Sequence, residues 1–343
     1  MSLPCLRPIG PPAANQFMRD GVSMIARNII VVGTSAGGVE ALCEMTKHLP
    51  GKLDASMFVV MHIGTETMLP QILSRCGTLP AVKAENQKKY ERGCIYCAPA
   101  NCHLSIKDHK TVLIRGPREN GHRPAIDVLF RSAARAHRSK VIGVVLTGGR
   151  DDGSAGLYAI KARGGVAIVQ DPKEALTPNM PQNALDLVDV DFCLPVRQIA
   201  DVLVQLVNGK ATNITQSPNG GTIMEDQATA DQPTGTPPGD QIPLACPECN
   251  GPMYEIRDGE LAHYQCFVGH RFSPEGLSDQ HTDALERALW TAARKLKERI
   301  VLHEKLAARK RNKGEEELLK WLDESVTIAK KDLQLLREIL ERI

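Results

Sequence analysis

Ser35 stands in a turn of small residues, Gly33-Thr34-Ser35-Ala36-Gly37-Gly38, between the apolar run Ile29–Val32 and an amphipathic stretch that begins at Val39. A strand, a sharp turn and a helix can hold a hydroxyl clear of the backbone, beside the free amides of the helix N-terminus. That placement suits a nucleophile whose oxyanion must meet fixed N–H donors. The same turn also serves as a plain connection or as a phosphate loop. A serine nucleophile needs a base, and the base needs an orienting acid. His62 follows the run Val59-Val60-Met61, and Asp151 and Asp152 follow the run that ends at Leu146, in Leu146-Thr147-Gly148-Gly149-Arg150-Asp151-Asp152-Gly153-Ser154. Singly, a histidine after a strand is more often structural, and Asp-Gly is a common turn or helix cap. All three sites follow strand C-termini, so one sheet edge can collect them into a hydrolase site. The order Ser35, His62, Asp152 differs from the Ser, Asp, His order of α/β-hydrolases and argues against that fold.

A second constellation lies near the C-terminus. Cys246, Cys249, Cys266 and His270 form the pattern C-x₂-C-x₁₆-C-x₃-H. Three thiolates and one imidazole can close a tetrahedral zinc site, and a segment this short lacks an apolar core of its own without a metal. Four protein ligands leave no open position, so structural Zn²⁺ is expected there and no cofactor for catalysis. The plain alternative is a reduced hairpin. His263 and His281 are spare imidazoles, expected at the surface. Cys94 and Cys97 form a CxxC pair, but in a strand-like run rather than at the helix N-terminus a redox pair favours. Of the ten cysteines, Cys43, Cys76 and Cys193 are scattered singly and are expected as reduced thiols.

The elements that must position the first site alternate between strand and helix from about residue 27 to 206. Strands are read at Ile29–Val32, Met57–Met61, Ile142–Leu146 and Val166–Gln170. Helices are read at Val39–His48, Leu69–Cys76, Ala125–His137 and Ser154–Ala162, with another opening at Asn183–Leu187. Cys94–Ala98, Leu104–Lys107 and Thr111–Arg115 read as a small antiparallel set. The alternation predicts an α/β fold with a mostly parallel, doubly wound sheet, whose ligands meet the loops at the strand C-termini.

Residues 207–241 are rich in Thr, Gln, Gly, Pro and Asp and read as a flexible linker with a span of roughly 30 Å. A zinc-ribbon-like module over 242–274 and a helical tail over 275–343 follow. Leu319, Leu322, Val326, Ala329, Leu333, Leu336, Leu340 and Ile343 are spaced three and four apart, as in a coiled-coil seam. Leu285, Leu289, Ala292, Leu296 and Ile300 give a looser stripe, and Asn312-Lys313-Gly314 a break between the two. The tail is either a helical hairpin within one chain or a dimerising coiled coil.

Composition narrows the function classes. Over 343 residues the net charge is +2 and aromatic residues make up 4%, which gives no basic or stacking surface for nucleic acid. No apolar run reaches transmembrane length, and residues 1–26 lack a secretory core. They read as a disordered lead-in, and the chain as cytoplasmic.

Several motifs in one order carry a resemblance. Gly33–Gly38, Met61-His62, the segment Gly121-His122-Arg123-Pro124-Ala125-Ile126-Asp127-Val128-Leu129-Phe130, and Leu146-Thr147-Gly148 with Asp152-Gly153 resemble the catalytic domain of CheB-type protein-glutamate methylesterases of bacterial chemotaxis. The similarity covers about 27–206. It implies Ser35 as nucleophile, His62 as general base and then acid, and Asp152 as the orienting carboxylate, with Asp151 a turn or surface residue. It implies an oxyanion pocket around Thr34, Ala36, Gly37 and Gly149, with Thr34 either near the histidine or a turn residue. His122 and Arg123 lie in a segment the family uses near its cleft; Arg123 would contact an acidic substrate helix or pair with Asp127.

The implied reaction is hydrolysis of glutamate γ-methyl esters on a chemoreceptor-like helical protein, with deamidation of glutamines as a companion activity. Implied partners are that receptor, a methyltransferase or other chemosensory proteins, and a second copy through the tail; neither nucleic acid nor membrane insertion is implied. Three departures from the family's pattern are read. About 25 residues stand where the family's phospho-accepting receiver domain is expected, Gly148-Gly149-Arg150 replaces the usual Gly-Met-Gly, removing a side chain from the pocket and adding a charge, and Met61-His62-Ile63-Gly64 replaces a Gln-His-Met-Pro-like segment. The rival readings are a signalling scaffold that keeps the fold with little turnover, and a hydrolase of another ester or amide. The cysteine module and the helix after it are similar to C-terminal extensions of receiver-less family members.

Overall fold

The structure is a computed structural model that describes residues 27–62, 68–209, 237–258, 261–311 and 316–342. The N-terminal lead-in, most of the linker and the break at 312–314 fall outside these residues.

The first unit runs β1 (Ile29–Thr34), α1 (Gly38–Lys47), β2 (Ser56–Met61), α2 (Leu69–Cys76), β3 (Ala81–Lys83), β4 (Lys88–Lys89), β5 (Ile95–Cys97), β6 (His103–Lys107) and β7 (Lys110–Ile114). It continues with α3 (Ile126–His137), β8 (Val141–Val145), α4 (Ser154–Lys161), β9 (Val166–Gln170), α5 (Asn179–Leu187), β10 (Phe192–Leu194) and α6 (Val196–Val207). Seven strands form one sheet in the order β10-β9-β8-β1-β2-β5-β3, and every neighbouring pair in it is parallel. Strands buried on both faces read as continuous apolar runs, which is why Ile29-Ile30-Val31-Val32 lies at the centre. Its side chains alternate. Ile30 and Val32 pack with Leu42 of α1, Leu73 of α2 and Leu203 of α6. Ile29 and Val31 pack with Phe130 of α3, Leu157 of α4 and Met180 of α5. The predicted doubly wound α/β fold is present.

Two expectations are corrected. Ile95–Cys97 is not part of an antiparallel set: it joins the parallel sheet between β2 and β3. All three of its residues are buried, as a strand covered on both faces requires. Of that set, β6 and β7 pair antiparallel, joined by the two-residue β4. Cys43 and Cys76 are not separate thiols, because a disulfide joins them across α1 and α2, with Cα atoms 5.3 Å apart. That separation is in the range a disulfide spans.

The second unit has β11 (Asp240–Ala245), β12 (Pro252–Asp258), β13 (Leu261–Cys266) and β14 (Arg271–Phe272) in one antiparallel sheet, followed by α7 (Pro274–Lys310) and α8 (Glu316–Leu340). It starts at Asp240, inside the span read as linker. Its core is only Cys246, Met253, Cys266, Phe272 and Leu277, backed by Ile242 and Tyr264. The helices fold back on each other around Ala293, Ile300, Val326, Ala329 and Leu333, the hairpin alternative. The α7 stripe runs through Ala293 and Ile300 rather than Ala292, which is exposed, and Leu285 is 53% exposed.

Phe130 is fully buried between α3 and the sheet. Phe130→Ala should lower unfolding free energy by about 3–5 kcal/mol, and Leu285→Ala by less than about 0.5 kcal/mol, in denaturant titrations of the two variants.

Candidate active site and cysteine cluster

Strand register brings the first site together. Thr34 pairs with Met61 across β1 and β2, and the His62 N–H donates to the Thr34 carbonyl at 3.2 Å. On the other flank Gly33 pairs with Val145, and the Ser35 N–H donates to the Thr147 carbonyl at 2.9 Å. Ser35 therefore lies between the strand end that carries His62 and the loop that carries Asp152. Sheet order reverses here: the chain leaves β1 toward β2 and returns on the other side at β8. Crevices at such strand C-termini are where ligands bind in open α/β sheets.

The turn is sterically set. Gly37 has φ +76° as the N-cap of α1, a conformation that suits glycine. A Cβ on Gly38 would fall 2.6 Å from the Thr34 side chain. The Thr34 hydroxyl donates to the Thr147 carbonyl at 2.8 Å in a buried setting, so Thr34 clamps β1 to the β8 loop. The Gly148 N–H is spent on the Thr177 carbonyl at 3.0 Å. Among the described residues, no carbonyl or side chain takes the Ala36 or Gly37 N–H. They are the donors left at the turn among the described residues. A Cβ at Gly149 would meet nothing closer than Thr177 at 4.0 Å, so space lies where a side chain is missing.

The His62 Nε2 lies 2.7 Å from Asp152 Oδ2, with side chains 6% and 1% exposed. The same oxygen accepts the Ile126 N–H at 2.7 Å, and Oδ1 accepts the Asp127 N–H at 3.1 Å. These amides open α3, so the helix N-terminus faces a carboxylate. Burial alone would raise the Asp152 carboxyl. The hydrogen bond and charge of His62 and the Ile126 amide reverse that and hold it well below the usual range. Asp127 takes the opposite course: burial, and then the Asp152 charge, push it well above its ordinary value. Of two adjacent buried carboxyls, Asp152 carries the charge. With Nε2 on Asp152, His62 Nδ1 is the ring nitrogen left over; it is buried and has no partner among the described residues. The His122 ring stacks on His62 with centroids 3.6 Å apart and planes 7° apart. Burial, then the His62 charge, lower His122 to about 4, so it packs as a neutral ring.

Other predicted residues land elsewhere. Arg123 does not pair with Asp127. Its Nε and Nη2 donate to Asn101 Oδ1 at 2.9 and 2.5 Å, and its Nη1 to the Gly116 carbonyl at 2.6 Å. It braces the loop that carries His122. Asp127 Oδ1 instead accepts the Gly153 and Gly156 amides at 3.0 and 2.6 Å, fixing the turn after Asp152. Asp151 is not a surface residue, being 6% exposed, and burial raises its carboxyl to about 6. Its Oδ1 and the Ser154 hydroxyl are buried without partners among the described residues. Both residues line a cavity of about 290 Å³ between α3, α4 and the second unit. His263 accepts from Arg271 Nη2 at 3.3 Å, and His281 Nε2 is buried, so neither ring is a loose surface group. Sequence reasoning missed Asn120, Asp127 and the docking partners of Arg150. Only Asp127 carried a signal, as the acid of the Gly121–Phe130 segment.

The ligand atoms of Cys246, Cys249, Cys266 and His270 all lie within 4.8 Å of one another. Cys249 Sγ is 3.6 Å from Cys266 Sγ, and His270 Nδ1 is 3.7 and 3.4 Å from the sulfurs of Cys246 and Cys266. A tetrahedron with Zn–S of about 2.3 Å and Zn–N of about 2.0 Å has edges near these lengths. The donor set therefore fits a metal ion.

The CheB methylesterase family profile matches residues 30–203. The chain belongs to the CheB methylesterase family. A Leptospira interrogans relative, named for protein-glutamate methylesterase and protein-glutamine glutaminase activity, is 38% identical over 180 residues, which are 52% of this chain and 93% of the relative. The Clostridium acetobutylicum protein-glutamate methylesterase/protein-glutamine glutaminase is 30% identical over 205 residues, 59% of each chain. The crystal structure of the Thermotoga maritima CheB methylesterase catalytic domain is 30% identical with a TM-score of 0.51, covering 53% of this chain and 100% of that one. These matches cover the α/β unit and leave the second unit without a counterpart.

Asp151 gives a pH test of the CheB-type loop. Its native carboxyl holds a proton more tightly than the ordinary 3.8, so between about pH 4 and 6 the folded state binds more protons and stability falls as pH rises. Asp151→Asn should match the wild type at pH 3.5 and exceed it by about 1–3 kcal/mol at pH 7.5 in denaturant titrations.

Proposed function

We propose that the chain is a serine carboxyl-esterase that hydrolyses glutamate γ-methyl esters, and deamidates glutamines, on a chemoreceptor-like helical protein in the cytoplasm. The observation that carries this reading is the buried His62–Asp152 pair at the strand end beside Ser35. Asp152 accepts a hydrogen bond from the Nε2–H, which leaves Nδ1 as the base nitrogen. The Ser35 hydroxyl attacks the ester carbonyl while Nδ1 takes its proton. The Ala36 and Gly37 amides meet the oxyanion. Collapse of the tetrahedral adduct breaks the bond from carbon to the methoxy oxygen, and the proton on Nδ1 leaves with methanol; from a glutamine the C–N bond breaks and the proton leaves with ammonia. Water then gives a proton to Nδ1, attacks the acyl-enzyme, and releases glutamate with Ser35 restored. Names of relatives for both activities support the substrate class.

Cys246, Cys249, Cys266 and His270 hold a structural Zn²⁺ in this reading. With four protein ligands the ion supplies folding free energy to a sheet whose buried core, apart from the ligands Cys246 and Cys266, is Met253, Phe272 and Leu277. It takes no part in ester hydrolysis. Membrane insertion forms no part of the reading, and among the described residues no helix is long and apolar enough to cross a membrane.

Methanol release from methylated chemoreceptor membranes should fall at least about 10³-fold in Ser35→Ala; background release from both proteins would refute the esterase reading. Metal analysis should find one zinc per chain, and Cys246→Ser should lose it along with protease resistance of residues 240–273.

A further inference from the structure

The first turns of α7 touch both loops that flank the His62–Asp152 pair. On one side, Asn120 Oδ1 accepts the Ser273 N–H at 2.9 Å, and the Asn120 N–H donates to the Arg271 carbonyl at 2.8 Å. Ser273 caps α7 by accepting the Gly276 N–H at 2.9 Å. One turn on, Gln280 is buried, and a Cβ at Gly121 would sit 2.6 Å from its Nε2. Gly121 adjoins His122, whose ring covers His62. On the other side, Arg150 Nη2 meets Asp283 Oδ2 at 2.6 Å and its Nε lies 3.7 Å from Asp279 Oδ2. Asp279 and Asp283 are four residues apart and so share a helix face. A guanidinium fork spans two such carboxylates where a lysine would meet one.

Arg150 is held for this task. Its φ is +64°, a conformation that costs a non-glycine residue free energy. Asn183 Nδ2 donates to its carbonyl at 2.9 Å, which pins the backbone so that the side chain points at α7. Arg150 also belongs to the loop that departs from the family's Gly-Met-Gly pattern, two positions before Asp152. The residue that departs is thus the one that grips the appended helix.

What α7 offers these loops is a helix with a buried glutamine, an acid immediately before it and another three residues after. A helix that carries a glutamine or glutamyl ester toward Ser35 has to lie against the same loops. We propose that the 118–123 and 149–151 loops form a docking surface for an acidic helix, that Arg150 selects carboxylates spaced four apart on it, and that α7 occupies this surface in the free protein as a stand-in for the substrate helix. This rests on the esterase reading for what the docked helix is for, but its test does not depend on turnover.

The test uses the full chain carrying Ser35→Ala and a fluorescein-labelled helical peptide with one glutamine and aspartates at the positions Asp279 and Asp283 hold relative to Gln280. A second peptide has asparagines in their place. Both α7 acids are roughly half exposed, at 52% and 42%, so Asp279→Asn with Asp283→Asn leaves the fold intact. This double variant should bind the acidic peptide about three- to tenfold more tightly by anisotropy, with faster amide exchange over residues 274–284. Adding Arg150→Ala should weaken the acidic peptide by a similar factor and leave the neutral peptide unchanged. Unchanged affinity in the double variant, or equal effects of Arg150→Ala on both peptides, overturns the proposal. Peptide binding as expected, with no methanol release from the Ser35 protein, would refute the esterase reading alone.

Discussion

Asp152 carries its charge where burial opposes it, and most of the first unit's active-site architecture is arranged to keep it there. Three donors converge on the carboxylate: the His62 ring and the two amides that open α3. Asp127, its neighbour, is pushed toward the protonated form, and its Oδ1 accepts the amides of Gly153 and Gly156, in the turn that presents Asp152. A lone buried carboxylate would be expensive. Paired in this way, it fixes one tautomer of His62 and one orientation of its ring. The nitrogen left over, Nδ1, is therefore determined by the carboxylate rather than by the serine.

The parallel register of β1 delivers the third group. Because β2 and β8 flank the same strand, the residue after Thr34 falls between the residue after Met61 and the loop after Val145. Thr34 and Thr147 lock these loops with hydrogen bonds. The turn is left with two uncommitted amides and a glycine-lined space at Gly149. Ser35, His62 and Asp152 thus follow the ends of three strands, β1, β2 and β8, that lie side by side in the sheet.

Much of this was legible in the sequence. The Ile29–Val32 run, the histidine and aspartates after apolar runs, and the three–four spacing from Leu319 to Leu340 are local patterns whose period declares their environment. The same is true of the cysteine spacing. What was not legible depends on contacts between distant segments. Cys43 and Cys76 meet only because α1 and α2 pack side by side. Asp151 is buried by the chain from Ser273 onward, so nothing near it in sequence marks it as interior. Ile95–Cys97 was misassigned because a three-residue apolar strand looks alike in a hairpin and in a parallel sheet. The role of Arg123 turned on Asn101, a loop residue with no pattern of its own.

The central claim is that Ser35 is made nucleophilic by His62 held on Asp152. Labelling with a fluorophosphonate, followed by peptide mass spectrometry, tests it most directly. The account predicts one adduct, on Ser35, formed about 10²–10⁴-fold more slowly in His62→Ala. An adduct on another serine, or an unchanged rate in His62→Ala, would contradict it.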